Sequence, residues 1–194
     1  MRRRNPVKRI ALLIVIVICA VVWLLRYQSV NRRFRETDVK IITYQMHEAV
    51  PFEADILRSI MPAPGCSLEV TDFSVVDYPD YMASIGAQSA RATYKKAAIV
   101  TFVMRNDGGN ETVAIEPAFA LHGVDELLHV IGEDLYTLNG RDMSSISLAP
   151  GESKTMLMPF LLDGLSNHAL AHIEKYPIYF QITAYPTTKE IRVN

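Results

Sequence analysis

AAIVTFVMR, residues 97–105, is apolar on both faces except at Thr101 before it closes on Arg105. A strand half-exposed to water alternates apolar with polar residues, whereas a strand apolar on both sides belongs at the centre of a packed sheet. Asn106-Asp107-Gly108-Gly109-Asn110 follows at once and is a strong turn signal. This stretch therefore predicts a central strand, and the fold is read outward from it.

Upstream, residues 67–76 (SLEVTDFSVV) alternate with Leu68 and Val70 on one face. Phe73 and Val75 continue out of phase, which predicts a bulge near Thr71 and Asp72. Residues 77–93 lack clear periodicity and read as a long excursion containing at most a short helix. Residues 39–47 (VKIITYQMH) form the first strand candidate, and 51–61 read as a loop with one helical turn. Downstream, 112–121 (TVAIEPAFAL) resumes as a strand, with Pro117 marking an edge or bulge. Asn139-Gly140 is a turn and 145–148 a short strand; Pro150-Gly151 turns into a strand over 154–160. Residues 166–175 predict a helix capped by Ser166 or Asn167. Over 177–185 the alternation places Ile178, Phe180, Ile182 and Ala184 on one side, and Tyr179, Gln181, Thr183 and Tyr185 on the other. Residues 190–193 close the sheet. Many short strands separated by turns point to a mainly β fold, an immunoglobulin-like β-sandwich with one short helix. An N-terminal transmembrane helix is expected to precede it.

That helix is read from Ile10–Leu25 (IALLIVIVICAVVWLL), which has no charged residue. At 1.5 Å per residue it reaches roughly 24 Å, short of a hydrocarbon core of about 30 Å. Arg9 and Arg26 can extend the span by snorkelling, and Trp23 and Tyr27 suit the interface. A cleaved signal peptide would need small residues after the run, and none are placed for it. A buried core helix is disfavoured by the charge clusters at both ends. The reading adopted is a signal anchor: 1–9 a basic cytoplasmic tail, 10–25 the membrane segment, 26–38 a juxtamembrane linker, 39–194 an extracytoplasmic domain. Basic residues flank the run on both sides, so the positive-inside rule barely decides the orientation. The large acidic C-terminal part favours placing the N-terminus inside.

Charge is sharply segregated. Residues 1–35 carry nine basic side chains and no acidic one. Residues 36–194 carry 11 basic and 21 acidic side chains, a formal −10. The basic block suits lipid headgroups, and the acidic domain disfavours nucleic acid. The two cysteines, Cys19 in the apolar run and Cys66 beyond it, form no disulfide framework.

Four stretches taken together, SLEVTDFSVVDYPDYM (67–82), AAIVTFVMRNDGG (97–109), ISLAPGESKTMLMPF (146–160) and YPIYFQITAYPTTKEIRVN (176–194), carry a family likeness. In order and spacing the chain over residues 38–194 resembles the domain-of-unknown-function family numbered 5028, uncharacterised extracytoplasmic domains of Gram-positive bacteria. The resemblance implies a cell-envelope location and a β-sandwich, and it brings no catalytic residues.

For chemistry, His168 and His172 are four residues apart on the expected helix and share a face, so they could chelate a metal. A surface helix with two polar residues explains them equally, and no metal or cofactor is assigned. His122 and His129 flank GVDELL and read as part of a solvated loop. Asp107 to Glu111 offers oxygens to Ca²⁺, but a hairpin turn accounts for it. There is no G-x-S-x-G, P-loop, dinucleotide fingerprint or C-x-x-C, and Cys66 has no base beside it in sequence. Tyr78, Tyr81, Tyr179 and Tyr185 form the candidate interaction surface, because exposed aromatics enrich such surfaces. The alternative is that packing covers them. The function expected is a non-enzymatic, membrane-tethered binding module, held by lipid through Ile10–Leu25 and facing a protein or envelope partner. The alternative is an accessory subunit of a membrane complex acting through its apolar helix.

Overall fold

Lys96–Asn106 forms a strand of 11 residues, paired antiparallel on one side with Cys66–Asp77 and on the other with Ser153–Leu161. The expected central strand is therefore central. The computed structural model describes residues 16–27, 40–52, 56–57, 63–89, 93–115, 119–123, 126–130, 132–140, 146–185 and 187–194. It separates into two compact units, Met1–Asp38 and Val39–Asn194.

In the first unit residues 16–27 are helical (α1) and exposed. Residues 10–15 of the expected anchor lie outside the described residues. Among the described residues no helix is long and apolar enough to cross a membrane.

The second unit is mainly β. In chain order its strands are β1 (Lys40–Gln45), β2 (Val50–Phe52), β3 (Ile56–Leu57), β4 (Cys66–Asp77), β5 (Lys96–Asn106), β6 (Val113–Ile115) and β7 (Ala120–Gly123). There follow β8 (Glu126–Val130), β9 (Ile146–Leu148), β10 (Ser153–Leu161), β11 (Tyr179–Gln181), β12 (Thr183–Tyr185) and β13 (Thr187–Arg192). The helices are α2 (Tyr78–Ser84), α3 (Gly132–Asn139) and α4 (Asn167–Ala171), the last followed by a 3-10 turn, Ile173–Lys175. Nine strands join in the order β1-β13-β11-β7-β8-β10-β5-β4-β2. The pairs β12-β3 and β6-β9 stand beside this ladder.

The ladder folds back on itself at β8. Phe102 on β5 and Phe160 on β10 meet Phe180 on β11, with ring centres 5.6 and 6.0 Å apart. Phe119, just before β7, packs edge-on to both Phe102 and Phe180. Two sheets thus face each other across one aromatic core, the arrangement of a sandwich. Leu68, Val70, Met104, Met158, Leu121 and Ile191 complete that core, all fully buried.

β5 is apolar on both faces because it divides two cores. Ala98, Val100, Phe102 and Met104 enter the main one. Ala97 and Ile99 turn the other way and pack with Tyr78 and Met82 of α2 in a second, smaller cluster. The bulge expected in β4 falls between Val70 and Asp72, which pair with Phe102 and Thr101. Thr71 is the extra residue, and its hydroxyl donates to the Thr101 carbonyl at 3.3 Å. The inserted residue resets the phase, so Phe73 and Val75 return to the main core after Leu68 and Val70.

Several expectations need correction. Among the described residues the second unit holds three short helices where the expected fold named one. α2 is the short helix that the aperiodic excursion had room for, whereas α3 stands where only the Asn139-Gly140 turn was read. β2 replaces part of the expected loop. Its Val50 and Phe52 are buried while Pro51 points outward, as proline requires of an edge strand. The strand expected over 112–121 is two, β6 and β7, belonging to different sheets; Pro117 lies outside the described residues. The turn after Asn106 does not close a β5–β6 hairpin, because β6 pairs with β9. The strand expected over 177–185 breaks at Ile182. Thr183, expected on the outward face, is buried. Its hydroxyl donates to the Thr187 carbonyl at 2.6 Å and accepts from the Lys189 amide at 2.9 Å, closing the β12–β13 turn. The segment between His122 and His129 is the β7–β8 hairpin rather than a solvated loop.

Candidate functional site

Adjacent strands in register bring side chains of equal orientation side by side. In the sheet β1-β13-β11-β7, Phe180, Ile191 and Leu121 point inward and are buried. Their neighbours face out: Tyr179 on β11 is paired with His122 on β7 and with Arg192 on β13. The His122 and Tyr179 rings stack, with centres 5.4 Å apart. His122 Nε2 lies 3.2 Å from Glu190 Oε2, reaching diagonally past β11 to β13. Glu190 Oε1 accepts a hydrogen bond from Thr43 Oγ1 on β1 at 2.8 Å. Four strands therefore contribute to one polar cluster, in which Glu190 is nearly buried while His122 keeps about a third of its side chain exposed.

The order of bonding limits what this cluster does. Nucleophilic hydrolysis places the imidazole between the carboxylate and the hydroxyl, so that it can take the hydroxyl proton. Here the carboxylate sits in the middle, the Thr43 hydroxyl donates to it, and among the described residues no imidazole contacts Thr43 Oγ1. The arrangement fixes three side chains in place on an outward surface.

The four tyrosines singled out from sequence separate. Tyr179 belongs to the cluster just described. Tyr185 lies in β12 by its backbone, and its side chain is outside the described residues. Tyr81 is half-buried on α2; burial, with Asp72 adding, raises its phenol above the usual range. Tyr78 is fully buried under α2 and cannot contribute to an exposed surface. Its hydroxyl makes no well-formed hydrogen bond among the described residues. Burial first, then the nearby Asp134 carboxyl, push this phenol far above its ordinary range. Asp134 is itself buried and accepts from Ser89 Oγ at 3.0 Å.

A groove of about 450 Å³ opens between Pro51, Phe52, Pro64 and Cys66, with Asp107 at its margin. The Cys66 thiol is buried, and burial together with the Asp107 charge raises its pKa, which disfavours the thiolate a nucleophile needs. The groove wall is a tight backbone contact. Gly65 has φ +83°, and a Cβ there would meet Gly108 and Gly109 backbone atoms at 2.7 Å. Beside it, Asn106 is buried with its side chain fully used. It accepts from the Gly109 amide at 3.0 Å and donates to the carbonyls of Glu111 and Leu148 at 2.9 and 3.1 Å. The stretch Asp107–Glu111 thus serves as a knot between strands.

α4 begins as its sequence indicates, with Ser166 Oγ accepting from the Ala169 amide at 3.2 Å. His168 and His172 lie side by side, ring centres 4.6 Å apart. Among the described residues no group of three His, Cys, Asp or Glu side chains is placed to hold a metal ion. His129 pairs with Leu161 through β8 and β10, and its side chain is outside the described residues. Sequence reasoning missed Glu190 and Thr43 as site residues, because neither stands in a motif and only strand register unites them with His122.

A family profile described as "Domain of unknown function (DUF5028)" matches residues 41–189. The chain belongs to this family. The DUF5028 match runs from within β1 to within β13, so it takes in Thr43, His122 and Tyr179 and stops one residue short of Glu190. Two solved structures are similar in outline. The yjhA protein from Bacillus subtilis aligns with a TM-score of 0.45 at 12% identity, covering 78% of this chain and 99% of that one. An uncharacterized β-sandwich protein from Clostridium difficile 630 aligns with a TM-score of 0.40 at 7% identity, covering 81% and 97%. No curated protein matches the chain.

Proposed function

We propose that this DUF5028 chain is a membrane-anchored, extracytoplasmic binding module that performs no covalent chemistry. One observation carries the reading: an uncharged apolar run, Ile10–Leu25, set in a segment with nine basic and no acidic residues, precedes a domain of formal charge −10. Lipid accepts the first and water the second. An immunoglobulin-like sandwich suits the role, since it holds a recognition face on rigid strands. The outward cluster of Tyr179, His122, Glu190 and Thr43 is the face we assign to the partner. Its support is the carboxylate-centred bonding, which orients side chains without activating a nucleophile.

The test is topological. Protease added to intact cells should digest residues 39–194, while a tag at the N-terminus stays protected until the membrane is broken. Full protection of the domain would reverse the orientation, and recovery of the uncut chain in the soluble fraction would end the anchoring reading. Replacing the apolar run with an unrelated anchor should preserve function. Loss of function in that swap would favour the accessory-subunit alternative, in which the helix itself makes the contact.

A further inference from the structure

Asn139 closes α3 and is followed by Gly140; no other asparagine of the chain precedes a glycine. In such a pair the glycine amide is the nucleophile next to the asparagine side-chain carbonyl, and with no Cβ on the glycine nothing crowds its approach. Attack forms a bond from Gly140 N to Asn139 Cγ and breaks the bond from Cγ to Nδ2. The amide proton leaves with Nδ2 as ammonia, and a five-membered succinimide remains. Water then opens the ring at either carbonyl, giving aspartate or its isomer, in which the main chain runs through the side-chain carbon. Gly140 is exposed, with φ +87° and open space where a side chain would stand, so water reaches this bond.

The fold holds the reacting carbon away from that nitrogen. Asn139 Oδ1 accepts from the Leu157 amide at 2.8 Å, and Nδ2 donates to the carbonyls of Leu157 and Leu135 at 2.6 and 2.9 Å. A carboxamide anchored on β10 at both its ends cannot swing Cγ toward Gly140, so three hydrogen bonds must break before the ring can close. The same bonds decide what becomes of the product. The carboxylate oxygen that replaces Nδ2 has no proton to give, and it meets the two carbonyls acceptor against acceptor. The isomer also lengthens the main chain by one carbon and shortens the side chain that must reach β10.

We propose that Asn139 is a site of one-way chemical modification gated by the fold: it deamidates when α3 lifts from β10, and the product does not dock again. Local opening is reversible and deamidation is not, so modified chains accumulate at a rate set by how often α3 is released.

The full-length chain in detergent is incubated in mildly alkaline buffer, with and without urea, and conversion at residue 139 is followed by peptide mass mapping. Urea-unfolded chain should convert at Asn139, and folded chain at least ~10-fold more slowly, because three hydrogen bonds must open first. Leu135→Ala removes a buried α3 side chain without touching the reacting pair. It should speed conversion of the folded chain at least ~10-fold and leave the rate in urea unchanged. Asn139→Asp, made directly, should lose hydrogen-exchange protection at the Leu157 amide while peptides from Lys96–Asn106 stay protected. Equal rates in folded and unfolded wild type overturn the proposal. So does wild-type exchange at Leu157 in Asn139→Asp, or a wild-type rate in folded Leu135→Ala.

Discussion

Tyr78 shows how a single buried side chain ties stability to pH. Its phenol is raised by burial and by Asp134, so the folded protein keeps the proton at pH values where the unfolded chain releases it. The stabilising difference is whole below the unfolded value and is lost as pH rises past about 10. Tyr81 is raised as well, through burial and Asp72, and adds to the same alkaline limb. Tyr78→Phe should therefore flatten, without abolishing, the fall of the urea midpoint between pH 8 and pH 10.5, values that bracket the free phenol at about 10. An unchanged slope in the variant would show that Tyr78 does not carry the effect. Glu152 acts at the other end of the scale. The Ala149 amide donates to it at 2.7 Å and holds its carboxyl below the usual range, so this contribution is present near neutrality and lost on acidification.

At the scale of elements, α3 shows what the sequence could not reveal. Residues 132–139 start at Gly132 and carry no strong apolar stripe, so nothing local announces a helix. The element is fixed by what its end touches. Asn139 Oδ1 accepts from the Leu157 amide at 2.8 Å, and its Nδ2 donates to the Leu157 carbonyl at 2.6 Å. The amide side chain stands in for one residue of a neighbouring strand, where β10 runs beyond its short pairing with β8 at Phe160 and Leu161. Asn139→Ala leaves both backbone groups without that partner and should cost about 1–3 kcal/mol, read from the shift in denaturation midpoint. A loss under about 0.5 kcal/mol would place the variant among ordinary surface changes and refute the strand-surrogate role. By contrast β5, the bulge at Thr71 and the cap at Ser166 were legible, because each rests on neighbours in sequence. α2 was half legible: Pro79 at its start and the spacing of Tyr78 and Met82 fit a helix, yet the stretch is too short for periodicity to speak. The Thr43–Glu190–His122 cluster was not legible at all. Its members are 147 and 68 positions apart, and only β1-β13-β11-β7 pairing joins them.

At the largest scale, the second unit is held at Phe180, where aromatic rings from both sheets converge. Phe180→Ala should cost about 3–5 kcal/mol, a large share of the 5–15 kcal/mol that typical domains possess. The variant should lose its cooperative thermal transition or show it at much lower temperature; a wild-type melting curve would contradict the two-sheet core. Without a disulfide among the described residues, that core and the ladder must bear any load. The first strand, β1, lies parallel to the last, β13, over six matched residues from Lys40↔Thr187 to Gln45↔Arg192. A pull on the chain at residue 40, along the strand, slides β1 lengthwise past β13 and strains the rungs of that pair simultaneously instead of peeling them off in turn. Were the proposed anchor to hold the domain at this end, tension along the strand would reach the β1–β13 pair as shear.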